Sequence, residues 1–93
     1  MNATVFKIDI ITPEEVYFSG EAVSLVAPGA VGYLGVLPNH APLVTPLVKG
    51  KVELRLADRS EKAFQIEGGF LEVAHNQATL LVEKIQPLAA SSV

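Results

Sequence analysis

The sequence predicts an all-β fold, a sandwich or barrel of short strands. Two observations carry this. Apolar residues recur at every second position in run after run, the period of a strand with one face in a core and one in water. Turn-forming residues interrupt these runs roughly every 8–12 residues, as in a sandwich or barrel.

The first run sets Phe6, Ile8 and Ile10 on one face and Lys7 and Asp9 on the other. Later runs repeat the pattern. Val52, Leu54 and Leu56 alternate with Lys51, Glu53 and Arg55, and Phe64 and Ile66 alternate with Ala63, Gln65 and Glu67. The punctuation is Thr12-Pro13, Ser19-Gly20, Pro28-Gly29, Pro38-Asn39, Lys49-Gly50, Asp58-Arg59-Ser60, Gly68-Gly69 and His75-Asn76. Strands are therefore expected near residues 4–11, 15–19, 21–27, 32–36, 43–48, 51–57, 62–67, 70–74 and 77–84. Thr12-Pro13-Glu14-Glu15 also fits a helix start, with a Thr cap, Pro at the first position and Glu three residues after the cap. Against a helix stand the β-branched and aromatic Val16-Tyr17-Phe18 and the glycine at position 20. Pro46 lacks a ladder donor, so the run 43–48 is expected on an edge strand or at a bulge. The domain is expected over residues 1–86, with 87–93, small and without periodicity, as a disordered tail.

The 93 residues suffice for one domain. A chain of this size buries only roughly 60–65% of the surface its unfolded form exposes, so the core is thin. Hydrophobic residues make up 49% and charged residues 18%, yet no apolar run approaches the roughly 20 residues that span a bilayer. No signal peptide is visible at the N-terminus. The chain has no cysteine, which excludes disulfides and thiolate chemistry. Its formal net charge is −3, with acidic and basic residues mixed, so nucleic acid is not an expected partner.

Candidate chemistry is sparse. His75 beside Asn76 reads as a hairpin residue. His40, between Pro38 and Pro42, has no companion His, Cys or carboxylate cluster for a metal. Glu14 and Glu15 are adjacent, so in a strand they face opposite ways. Gly29-Ala30-Val31-Gly32 lacks the Gly-Lys-Ser/Thr of a phosphate loop, and Gly68-Gly69 reads as a tight turn or a close backbone approach. Asn2-Ala3-Thr4 matches a glycosylation sequon but has no secretory signal ahead of it. No catalytic, cofactor-binding or metal-binding residue is assigned, and no cofactor is expected.

What remains is surface. The stretch 32–43 is apolar, proline-stiffened and poor in charge, the character of a partner-binding loop on a small sandwich. Leu34, Val36 and Leu43 are expected to plug the core, leaving Tyr33, Leu37 and His40 to face outward. The candidate partner-binding residues are Tyr33, Leu37, Pro38, Asn39, His40, Ala41 and Pro42. The residues alone leave two other readings open: a free-standing β-sandwich binding module with an unrelated partner, and a small β-barrel enzyme, for which no constellation is present.

Four collinear motifs carry a family resemblance. Phe18-Ser19-Gly20-Glu21-Ala22 resembles the pattern F-S-G-x-(A/V). Gly32-Tyr33-Leu34-Gly35-Val36-Leu37-Pro38-Asn39-His40-Ala41-Pro42-Leu43 resembles G-x-L-G-I-x-P-x-H-A-P-L. Lys49-Gly50 followed by Gly68-Gly69-Phe70-Leu71-Glu72-Val73 resembles x-P-G and (S/G)-G-G-x-x-E-V, and Asn76-Gln77-Ala78-Thr79-Leu80-Leu81 resembles N-x-V-T-(I/V)-L. From about residue 4 to 85 the chain is similar to the epsilon subunit of bacterial and chloroplast F-type ATP synthases, called delta in mitochondria.

The resemblance implies a flattened sandwich of ten strands, one more than the periodicity gives. It implies a non-catalytic part of the central stalk, monomeric in isolation. Its partners would be the gamma subunit and the polar loops of the c-ring, with no insertion into the membrane. The complex would lie on the cytoplasmic face of a bacterial inner membrane, or the stromal thylakoid face in a chloroplast. Family members usually continue with two α-helices that restrain ATP hydrolysis and in some build an ATP site; with Val93 as the last residue, neither is expected here. Some relatives carry an acidic residue that contacts the c-ring where Tyr33 stands, so the corresponding contact would be less electrostatic.

Overall fold

A computed structural model describes residues 4–89. It holds seven strands: β1 (Phe6–Ile11), β2 (Val16–Gly29), β3 (Gly32–Val36), β4 (Leu43–Leu56), β5 (Glu61–Ala74), β6 (Gln77–Leu81) and β7 (Ile85–Leu88). Among the described residues there is no helix.

Strand β1 shows why the sequence takes this form. Phe6, Ile8 and Ile10 are buried, as their alternation requires, while Lys7 is exposed. β1 pairs antiparallel with β2 on one side and parallel with β6 on the other. The order β1-β6-β5-β4-β2 therefore returns to β1, closing the sheet, with β3 attached to β2 and β7 to β5. Closure pairs the strands of the ring on both sides over much of their length, leaving open edges at β3, β7 and the first residues of β4. Ile8, Ile10, Leu25, Leu54, Ile66, Leu71 and Leu80 fill the interior and are fully buried, each worth about 1.5–3 kcal/mol in transfer from water. At one end Phe64 packs edge-on against Tyr17, ring centroids 5.6 Å apart.

The nine expected strands become seven. The expected pairs 15–19 with 21–27, 43–48 with 51–57, and 62–67 with 70–74 are single strands of 14 residues, β2, β4 and β5. Ser19-Gly20, Lys49-Gly50 and Gly68-Gly69 lie inside strands rather than between them. Each long strand serves two neighbourhoods. β5, for example, pairs β7 along residues 63–66 and β6 along residues 70–74. Counted by arms, the three long strands and four short ones make the ten that the resemblance implied.

Thr12-Pro13-Glu14-Glu15 is a tight turn, as the Thr12-Pro13 punctuation predicts and the helix alternative does not; Thr12 N donates to Glu15 O at 2.9 Å and Glu15 N to Thr12 O at 3.3 Å. One further expectation changes. The expected strand 77–84 ends at Leu81, and the chain forms β7 against β5. Pro87 and Leu88, expected in the tail, thus belong to a strand. Pro87 is tolerated because β7 pairs only with β5 and sits on an edge. Residues 90–93 of the expected tail lie outside the described residues.

Pro46 follows the edge reading locally. Over residues 43–46, β4 pairs with β5 alone, and β2 joins it first at Leu47. The Pro46 carbonyl accepts from Ala30 N at 3.2 Å. Its ring nitrogen points to that same side, where no ladder donor is required.

Candidate functional site

The segment between β3 and β4 is shaped by its own sequence. His40 N donates to Leu37 O at 3.2 Å, closing a turn over Pro38 and Asn39. Pro38 supplies the fixed φ of the second position, and Asn39, at φ 67, takes the left-handed third position of a type II turn. The His40 ring folds back on the chain, with Nδ1 donating to Ala41 O at 2.7 Å. A carbonyl only accepts, so Nδ1 carries the proton. Leu37, Asn39, Ala41 and Pro42 are exposed, while Pro38 and His40 are half-buried.

Tyr33 stands at the far end of β3. It is 62% exposed, yet it does not project freely. Its hydroxyl accepts from Lys51 N at 3.1 Å, so the ring lies across β2 toward β4. Tyr33 and Gly35 occupy alternate positions on one face of β3, and Leu37 begins the loop one residue past its end. The plug residues behave as expected in part: Val36 is buried, and Leu34 and Leu43 pack half-buried against the core.

A second surface was not anticipated. Pro46 pairs with Phe70, Phe70 with Leu81, Leu81 with Ile11, and Ile11 with Val16. Residues opposite each other in register share a face, so these five side chains form one outward row across five strands, roughly 19 Å long at the usual strand spacing. Phe70 is 54% exposed, Leu81 47% and Val16 61%. Beside the row, Ile11, Phe70 and Leu81 line an open groove of about 670 Å³, rimmed by Glu67, Glu83 and Lys84. Gly68 and Gly69 lie in the same groove, at φ 119 and φ 142. A side chain at Gly69 would fall on the Leu81 carbonyl. Val44, also exposed, shares the outward face of β4 with Pro46 and joins the row to the loop that ends at Pro42.

The ion pairs lie elsewhere. The outer face of β4 and β5 carries the ion pairs Lys51–Glu53 at 3.3 Å and Arg55–Glu61 at 2.8 Å, both well exposed. Asp58, in the β4–β5 turn, accepts from the Ser60 hydroxyl at 2.6 Å and from Ser60 N at 2.9 Å. These bonds, the hydroxyl's first, hold its carboxyl below the usual carboxylate value. Among the described residues no group of three or more His, Asp and Glu side chains is placed to hold a metal ion.

A closed sheet with a proline-stiffened loop and a contiguous apolar row on its outside defines a small all-β domain. Residues 5–88 match the family model of the ATP synthase delta/epsilon chain β-sandwich domain, and the chain belongs to that family. It is 52% identical over 80 residues to the ATP synthase epsilon chain of Chlorobium limicola, covering 86% of this chain and 91% of that one. It is 50% identical over 77 residues to the ATP synthase epsilon chain of Moorella thermoacetica, but spans 58% of it. A chain in the structure of Euglena gracilis mitochondrial ATP synthase (OSCP/F1/c-ring, rotational state 1) superposes with a TM-score of 0.87 at 18% identity. That match covers 94% of this chain and 56% of the other; at such identity the likeness is one of fold.

Proposed function

We propose that this chain is a central-stalk coupling subunit of an F-type ATP synthase. It links rotation of a proton-driven c-ring, through a gamma subunit, to ATP synthesis in a catalytic head, and does no chemistry itself. Its family and its epsilon-chain relatives support this reading. So does the solved Tetrahymena thermophila central stalk and c-ring, which contains a chain of the same fold, with a TM-score of 0.72. The complex is membrane-associated and this subunit peripheral to it, on the cytoplasmic face in a bacterium or the stromal thylakoid face in a chloroplast.

The observation that carries the proposal is the apolar row from Pro46 to Val16 and its continuity with the loop through Val44. A small domain rarely leaves such a surface uncovered unless a partner covers it. We assign the row and the loop 37–42 to the gamma subunit, and Tyr33 with the loop's flank to the c-ring loops. The closed sheet suits a part under torque, because load passes around a hydrogen-bonded ring of strands. The test is co-purification with gamma and c-ring. Stable association of all three is expected, and a chain that leaves both behind is a free-standing module instead.

A further inference from the structure

Asn76 sits in the two-residue β5–β6 hairpin, where His75 at φ 53 and Asn76 at φ 58 form a type I′ turn. Its side chain makes two long-range bonds. Oδ1 accepts from Asn39 N at 2.8 Å, and Nδ2 donates to Val5 O at 2.8 Å. Its own carbonyl accepts from Lys7 N at 3.2 Å. Only one orientation of the amide satisfies both side-chain partners, since Asn39 N–H can only donate and Val5 O can only accept.

We propose that Asn76 is a positioning residue for the partner-binding loop, pinning the Pro38–Asn39 turn to the start of β1 so that the loop meets its partner already shaped. This rests on the reading of residues 37–42 as a docking surface. The turn's internal bond, His40 N to Leu37 O, fixes its shape but not its place on the sandwich. The bond from Asn39 N ties its tip to another element, and the bond to Val5 O holds the Asn76 amide from behind. Ordering a loop before docking removes that cost from the binding step. Asn suits this position because it tolerates the left-handed backbone and offers an acceptor and a donor on a short stem.

The experiment uses three variants of the full chain, followed by amide hydrogen exchange and by titration with purified gamma subunit. Asn76→Gly keeps the left-handed backbone and removes both side-chain bonds. Asn76→Asp keeps the acceptor for Asn39 N and loses the donor to Val5 O. His40→Glu alters the docking surface without touching the clip. For Asn76→Gly we expect Asn39 N–H to exchange about tenfold faster, with core amides unchanged, and gamma affinity to fall about tenfold. Asn76→Asp should keep more of the Asn39 protection than Asn76→Gly. Unchanged Asn39 exchange in Asn76→Gly would overturn the clip. Faster exchange with unaltered gamma affinity, while His40→Glu weakens binding, would overturn the positioning role. If neither His40→Glu nor Asn76→Gly alters gamma affinity, the docking reading of the loop fails and the positioning role with it. The Asn39 exchange would still respond, which tells that outcome from failure of the clip.

Discussion

The Tyr33 hydroxyl occupies the space a side chain at Gly50 would need. A Cβ built at Gly50 would lie 2.8 Å from that oxygen and 2.8 Å from Pro28 Cβ. The bare backbone there lets the ring lie down and reach Lys51 N. Gly50→Ala should therefore cost about 1–3 kcal/mol through overpacking, and Tyr33→Phe about 0.5–1.5 kcal/mol for the lost hydrogen bond. The two should be non-additive in a double-mutant cycle measured by denaturant unfolding. Additive losses would mean that Gly50 serves Pro28 alone.

Gly69 should be the least replaceable glycine. It combines φ 142 with a hypothetical Cβ that falls on the Leu81 carbonyl and lies 2.9 Å from Val82 Cγ1. Both neighbours are fixed in the wall of the groove. Gly69→Ala should lower stability by about 3 kcal/mol or more, read as a large drop in Tm. Gly32, at φ 130 with nothing within 4 Å, should lose less on the same change, from backbone strain alone.

Arg59 runs the other way. It holds φ 75 in the β4–β5 turn, with its N–H on Leu56 O at 2.9 Å. A long side chain gains nothing from a left-handed backbone, whereas asparagine adopts it readily. Arg59→Asn should raise stability by about 0.5 kcal/mol, seen as a higher urea midpoint at unchanged slope.

Where the sequence was legible, one period decided the matter. Phe6, Ile8 and Ile10 fix the face of β1 without help from any other element. The long strands were misread because glycine signals both a reversal and a bend; at Gly50 and Gly69 it permits close passage within one strand. β7 was missed because Pro87 reads as a breaker, and only its edge position allows it. The loop 37–42 was legible because prolines and apolar residues are contiguous there. The apolar row was not, since Pro46, Phe70, Leu81, Ile11 and Val16 meet only through register. The signals for it were local and weak: adjacent apolar pairs such as Leu80-Leu81 and Phe70-Leu71, which put an apolar residue on both faces of a strand. The bond between Asn39 and Asn76, 37 residues apart, has no sequence signal at all.

His40→Glu tests the loop. The ring already satisfies Nδ1 within the chain. A carboxylate there should weaken gamma binding by on the order of 1–3 kcal/mol, with the Tm of the isolated domain little changed. Unchanged affinity would move the interface elsewhere, and a collapsed Tm would make His40 a structural residue.

The central claim is that the apolar row is covered by the gamma subunit, and Phe70 at its middle is the place to test it. Calorimetric titration of gamma into the wild-type chain and into Phe70→Gln decides it most directly. Phe70 is half exposed, so the substitution should change the stability of the isolated domain by no more than about 1 kcal/mol. The account predicts saturable one-to-one binding by the wild type and an affinity lower by about 2 kcal/mol or more for the variant, as for a central aromatic anchor. Equal affinities for the two chains, with both folded, would contradict it.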